Sequence, residues 1–330
     1  MADYLYSSAR VRVLERALIG RERIAALLET KSADGAWALL REYGVEPLTD
    51  DNGKILREET LLRLLRNAYA EACEMLPDVG ALRLWLYPYD CNNVKAAIKC
   101  FERGLDPSSM LFDFGTVEAQ SVCRMVRSGG FDGLPDAMKQ AAADAISAYA
   151  KNKNPQQIDL LLDRACYADM LTAAEKCGSD YVVGLVKRKI DLTNLLICVR
   201  ILRMKSGEIG KMLWKDSVIE GGTLSRETLD EWFAKGEDKL WERLYYTAYT
   251  ALAKAVLAGD GSLTCVERCC DNCLMDAVRE AKSVPYGVEV VVAFLLAHEY
   301  EVRNLRILLA GKDASLSRET IRERIRDSYV

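Results

Sequence analysis

Cys265, Cys269, Cys270 and Cys273 form the densest set of chemically capable side chains in the chain, with the spacing C-x-x-x-C-C-x-x-C. Four thiolates could hold Zn²⁺ or an iron–sulfur cluster, or serve as a redox centre. The spacing weighs against a single ion. On a helix, Cys265, Cys269 and Cys273 form one stripe at four-residue steps, and Cys270 lies about 100° from Cys269. A stripe that spreads over two turns would strain a regular helix around one tetrahedral metal. Cysteine is also a common small core residue. Structural packing is the favoured reading, and a cytosolic metal-binding or redox protein built on these four residues is the alternative.

Other chemistry is sparse. His298 is the single histidine, so histidine-centred acid–base or nucleophilic catalysis would rest on it alone. A lone histidine in a helical segment reads as structural. No Gly-x-x-x-x-Gly-Lys-Ser/Thr phosphate loop is present. Ser206-Gly207-Glu208-Ile209-Gly210-Lys211 carries a Gly-Lys pair at the wrong spacing, and Met212 follows it. Gly129-Gly130-Phe131-Asp132-Gly133 is not a dinucleotide fingerprint. The sequence therefore leads us to expect no catalytic, cofactor-binding or metal site and no cofactor.

The elements around these residues read as amphipathic helix throughout. Val11, Leu14 and Leu18 fall on one stripe of the first segment and its arginines on another. Glu59 to Leu76 repeats the pattern, as does the alanine-rich stretch Ala137 to Ala150. Gly20, Gly44 and Gly53 are expected to end or separate the early helices. Breaks are expected at 105–109, 128–133 and 220–223. Leu224-Ser225-Arg226-Glu227-Thr228 and Leu316-Ser317-Arg318-Glu319-Thr320 are identical, and each serine is a natural N-cap. No strand-and-hairpin alternation occurs, so the fold class is all-α.

Three blocks repeat. Asp90/Asn93, Asp191/Asn194 and Glu301/Asn304 each place an acid three residues before an asparagine, 101 and 110 residues apart. Apolar residues follow at shared offsets: Val94, Leu195 and Leu305, then Ile98, Val199 and Leu309. The frame aligns without a gap. It implies an internal triplication into three similar helical domains, residues 1–110, 111–215 and 216–330. Positions three apart share one helix face. The acid and the Asn can bond each other or a shared neighbour, and the favoured reading is a satisfied polar pair that fixes helix register. The functional alternative is a polar ring lining a three-fold axis. Pro88 predicts a break or restart in the first copy, with Asp90 as its cap.

Composition narrows the function classes. The 330 residues carry a net charge of −4, 28% charged residues, 21 Gly and 7 Pro, which suits a folded protein and not a disordered or collagen-like one. A pI near 5.4 argues against a protein that coats nucleic acid electrostatically. Eleven scattered cysteines do not form a disulfide framework, which points to a reducing cytosol. Asp3, Arg10, Arg12, Glu15 and Arg16 leave no room for an apolar signal core. The longest apolar run, Val290 to Ala297, is far short of the roughly 20 residues a membrane span needs.

Four stretches together resemble one family, the C subunits of V-type and archaeal A-type ATP synthases, relatives of the d subunit of vacuolar proton pumps. They are Tyr6 to Glu15, Asp90-Cys91-Asn92-Asn93-Val94-Lys95, Gly221-Gly222-Thr223-Leu224-Ser225, and Glu301 to Lys312 with Ile325 to Val330. The last is the most specific and the middle third matches least. The resemblance implies three similar helical domains arranged as a funnel with pseudo-three-fold symmetry. It also implies a non-catalytic part, present once per complex. That part would join the central shaft subunits (D and F type) to the membrane rotor ring and pass torque between them. Its place would be peripheral, on the cytoplasmic face of the membrane. The cysteine cluster lies outside the resemblance.

Overall fold

A computed structural model describes residues 4–330, and these are helical apart from turns, loops and one isolated antiparallel bridge between Thr49 and Ile55. The all-α expectation holds. The chain divides into two compact units, Met1–Pro77 with Trp241–Val330, and Asp78–Leu240. Each has its own core.

In the second unit, Asp136–Asn152, Pro155–Lys176 and Asp180–Met204 pack in sequence order, and Tyr87–Phe101 lies against Ala119–Ser128 and Pro155–Lys176. The helix starts are chemically marked. Asn154 accepts from Gln156 N–H with Pro155 in the first helical position, and Ser179 accepts from Val182 N–H, which satisfies backbone donors that a helix leaves without partners. Small residues let the first two of these helices run close together. Ala141, Ala142 and Ala145 are buried on one, and Ala165 is buried on the other.

In the first unit the organising element is Val288–Asp313, 26 residues long. It runs along Arg57–Glu74 and also meets Tyr4–Leu14 and Leu263–Arg279. Its apolar run Val290 to Ala297 is buried at every position, which explains why it shows no helical alternation. No described helix is long and apolar enough to cross a membrane.

Ser225 and Ser317 cap their helices as expected, accepting from Thr228 and Thr320 N–H. Two local expectations need correction. The first helix stops at Leu14, gives way to a 3-10 turn Glu15–Ala17, and leaves buried Leu18 beyond it. Gly20 separates that turn from Arg21–Glu29, as expected, and a Cβ there would come within 2.8 Å of Val330. A helix does restart at Pro88, which occupies its first turn after the 3-10 turn Leu84–Leu86. Asp90, however, is inside the helix and is not its cap.

Candidate functional site

The acid and Asn of each repeated block do not bond one another. Each reaches across to a segment that follows its helix. Asn93 Nδ2 donates to Phe112 O and its Oδ1 accepts from Phe112 N–H, both at 2.8 Å. Asn194 does the same to Ile219 at 2.8 and 2.9 Å, and Asn304 to Arg326 at 2.9 Å in both directions. A side-chain amide carries one acceptor and a donor in the spacing of a peptide group, so it can satisfy both backbone groups of one extended residue. All three asparagines are buried.

The acids act further along the same segment. Asp90 accepts from Thr116 N–H at 2.9 Å, from the Thr116 hydroxyl at 2.6 Å and from Val117 N–H at 3.1 Å. Asp191 accepts from Thr223 N–H at 3.0 Å, from the Thr223 hydroxyl, and from Leu224 N–H at 3.1 Å. Thr116 and Thr223 stand four residues after Phe112 and Ile219, so the two constellations match atom for atom. Gly115 and Gly222 precede the threonines, and a Cβ on either would collide with the carboxylate of Asp90 or Asp191. Burial raises the Asp90 pKa, and the Thr116 and Val117 donors oppose it.

The third acid departs from the pattern. Burial lifts the Glu301 pKa to about 7, against an opposing pull from the Ile19 backbone and the Arg23 charge. Glu301 Oε2 has no hydrogen-bond partner and lies 3.6 Å from His298 Nδ1. Burial lowers His298 to about 4, so the pair is not an ion pair at neutral pH. The imidazole packs edge-on against Phe294 with centroids 4.7 Å apart. His298 is thus a half-buried side chain packed against Phe294 in the first unit.

Cys265, Cys269, Cys270 and Cys273 all lie on the single helix Leu263–Arg279, capped by Ser262. The first three are buried and Cys273 is half-buried. Cys265 and Cys269 approach with their Sγ atoms 4.0 Å apart. Burial pushes Cys269 up to about 11 and also raises Cys270, which holds both as protonated thiols. Among the described residues no three His, Cys, Asp or Glu side chains are placed to hold a metal ion. The stripe packs into the first unit as small core residues.

Exposed apolar side chains are a further candidate feature. Ile209 and Met212 project from Gly207–Ser217 with 71% and 68% exposure, and Met204 shortly before that helix is exposed too. Leu5, Tyr6 and Val13 do the same on Tyr4–Leu14. Exposed apolar groups gathered on one helix commonly mark a contact surface. The spacing of acid and Asn found the clamps. It missed the held segments Phe112–Val117 and Ile219–Leu224, whose shared signal is the dipeptide Gly-Thr followed by an apolar residue.

The sequence model of the ATP synthase (C/AC39) subunit family matches residues 7–324. The C subunit of the V-type sodium ATPase of Enterococcus hirae is 24% identical over 330 residues, covering 99% of each chain. The C subunit of the A-type ATP synthase of Methanosphaera stadtmanae is 24% identical and covers 94% of this chain and 84% of its own. That of Methanocaldococcus jannaschii is 25% identical, covering 98% and 86%.

Proposed function

The chain belongs to the ATP synthase (C/AC39) subunit family, and on that premise we propose that it is the non-catalytic connector between the rotating shaft and the membrane rotor ring of a V/A-type ATPase. In this reading it is a peripheral component on the cytoplasmic face, one copy per complex, with shaft subunits of the D and F type on one side and the ring on the other. It transmits torque for ATP-coupled transport of protons or sodium. The observation that carries the reading is the end-to-end match to the C subunits of such complexes.

The proposal includes three related helical domains, residues 1–110, 111–215 and 216–330, about a pseudo-three-fold axis. Its support is the recurrence of one amide clamp at Asn93, Asn194 and Asn304. A torque-bearing part must resist shear between helices and the segments that link them. Buried bonds that tie each long helix to the next segment supply that resistance without any catalytic group.

Deletion of the chain tests the function. ATP hydrolysis by the catalytic head is expected to persist while ATP-driven ion pumping into vesicles is lost. Pumping that continues without the chain overturns the proposal, and its dependence on added sodium distinguishes the two ions.

A further inference from the structure

A basic cavity of about 670 Å³ lies in the first unit, beside residues 325–330. It is lined by Arg21, Arg279, Lys282, Arg322 and Arg326, with Asp327 as the one carboxylate side chain. A terminal carboxylate at Val330 would still leave three positive charges in excess. The concentration is local, because the whole chain carries a net charge of −4.

The neighbouring acids do not neutralise these cations. Arg326 Nε shares Asp271 with Arg303, at 2.8 and 2.7 Å. Arg322 shares Glu29 with Arg318. Only Arg279 has a carboxylate to itself, Asp276 at 2.8 Å. Arg21 and Lys282 have no ion pair among the described residues. Lys282 stacks its ammonium 4.7 Å from the Tyr329 ring. Its pKa is lowered by burial and then by the charges of Arg279 and Arg12, against the opposing pull of Glu15. Such a shift is expected where cations outnumber their counter-anions.

The cations come from separate elements: Arg21 from Arg21–Glu29, Arg279 from the end of Leu263–Arg279, Lys282 from the turn after it, and Arg322 and Arg326 from the last residues. The tail is held in place. Arg21 N–H donates to Val330 O at 3.0 Å, Arg279 donates to Ser328 O, and Asn304 clamps Arg326. Cations contributed by separate elements suit tetrahedral phosphoryl oxygens, which accept bonds from several sides. The volume lies in the range of small-molecule sites, roughly 300–1,000 Å³, and exceeds the needs of a single small anion.

We propose that this cavity binds a phosphoryl-bearing anion of about diphosphate size, held chiefly by Arg21, Lys282 and Arg322. The anion is either a soluble phosphate compound or the headgroup of an acidic phospholipid, and the recognising chemistry is the same.

The purified full chain is titrated with inorganic pyrophosphate by calorimetry, and separately floated with vesicles of phosphatidylglycerol or of phosphatidylcholine alone. Saturable binding of one pyrophosphate per chain is expected. The exposed pair Arg21→Glu with Lys282→Glu is expected to weaken it at least tenfold, and Lys151→Glu with Arg164→Glu, on the second unit, to leave it unchanged. If the charge reversal disturbs folding by circular dichroism, Arg21→Gln with Lys282→Gln replaces it. Pyrophosphate binding without flotation assigns a soluble ligand. Flotation only with phosphatidylglycerol, lost in the variant, assigns a headgroup. Binding to neither probe, or binding that the variants leave intact, overturns the proposal.

Discussion

Removal of one clamp amide should cost more in the second copy than in the first or third. Asn194→Ala deletes two bonds at once and leaves Ile219 N–H and C=O without partners. Both of those bonds are buried, whereas the Asn93 and Asn304 pairs reach part-buried backbone at Phe112 and Arg326. Water can reach a part-buried group and recover some of the loss. An orphaned buried group keeps its full desolvation penalty, about 1–3 kcal/mol. Two such groups, less some relaxation, give about 2–5 kcal/mol for Asn194→Ala, and about half that for Asn93→Ala and Asn304→Ala. Urea unfolding gives the totals. Hydrogen exchange of a peptide spanning 215–225 gives the local effect, since Ile219 N–H should lose its protection before the rest of the second unit. A loss below about 1 kcal/mol for Asn194→Ala, or equal losses at all three sites, would refute the view that these amides do the work of a buried backbone partner.

Three further outcomes follow from the same geometry. Gly222→Ala and Gly115→Ala should each destabilise the second unit by about 1–3 kcal/mol, because the new Cβ collides with a buried carboxylate; unchanged urea midpoints would show that the held segment can shift freely. Glu301 and His298 should oppose one another in pH dependence. The raised Glu301 contributes fully below about 4.5 and loses this as pH climbs to about 7, while the lowered His298 contributes fully above 6.5 and loses this as pH falls to about 4. His298→Gln should therefore make stability fall between pH 5 and 7, and Glu301→Gln should make it rise, each by up to about 3 kcal/mol; parallel urea-midpoint profiles would contradict the assignment. Ile209→Glu with Met212→Glu should leave folding intact, since both side chains are exposed, yet reduce recovery of the chain with the membrane complex at least tenfold; full recovery would remove that helix from the contact surface.

The all-helical class was legible because its signals are local. The cap serines 225 and 317, the glycine breaks and the 3.6-residue stripes each act within one turn or two. The polar pairs were also visible, since an acid and an amide inside an apolar frame stand out against burial. Their targets were not. Asn93 meets Phe112 and Asn194 meets Ile219 after intervals of 19 and 25 residues, and nothing in the spacing of the pair encodes an interval. The reading of Asp90 as a cap failed for the same reason: a carboxylate near a helix start serves its own backbone by default, and here a nearby Gly-Thr segment outcompetes it. The stripe of Cys265, Cys269 and Cys273 on one helix was legible too, because geometry within a helix is calculable from spacing alone. The basic cavity could not be seen in advance, since its cations lie between residues 21 and 326 and only tertiary packing brings them together.

The exception among the clamps lies in the unit that takes its residues from both flanks of the sequence. In the first two copies the Asn holds one residue and the acid holds those four and five positions later, all on one continuous segment. In the third, Asn304 holds Arg326, and four positions later stands Val330. At the third acid the Ile19 backbone, and no Gly-Thr segment, opposes the raised pKa, and Val330 O receives Arg21 N–H. Residues 19–21 thus approach the third site from a distant part of the sequence, at the start of Arg21–Glu29, whereas Ala119–Ser128 and Arg226–Lys235 follow the held segments of the other copies directly. Two chain segments now make the contact that one segment makes in the other copies. Among the described residues no Thr hydroxyl donates at the third site, Glu301 Oε2 has no hydrogen-bond partner, and burial lifts the pKa of this carboxyl. The orphan oxygen and the raised pKa therefore belong to the one copy whose acid is not held by the segment that its asparagine holds.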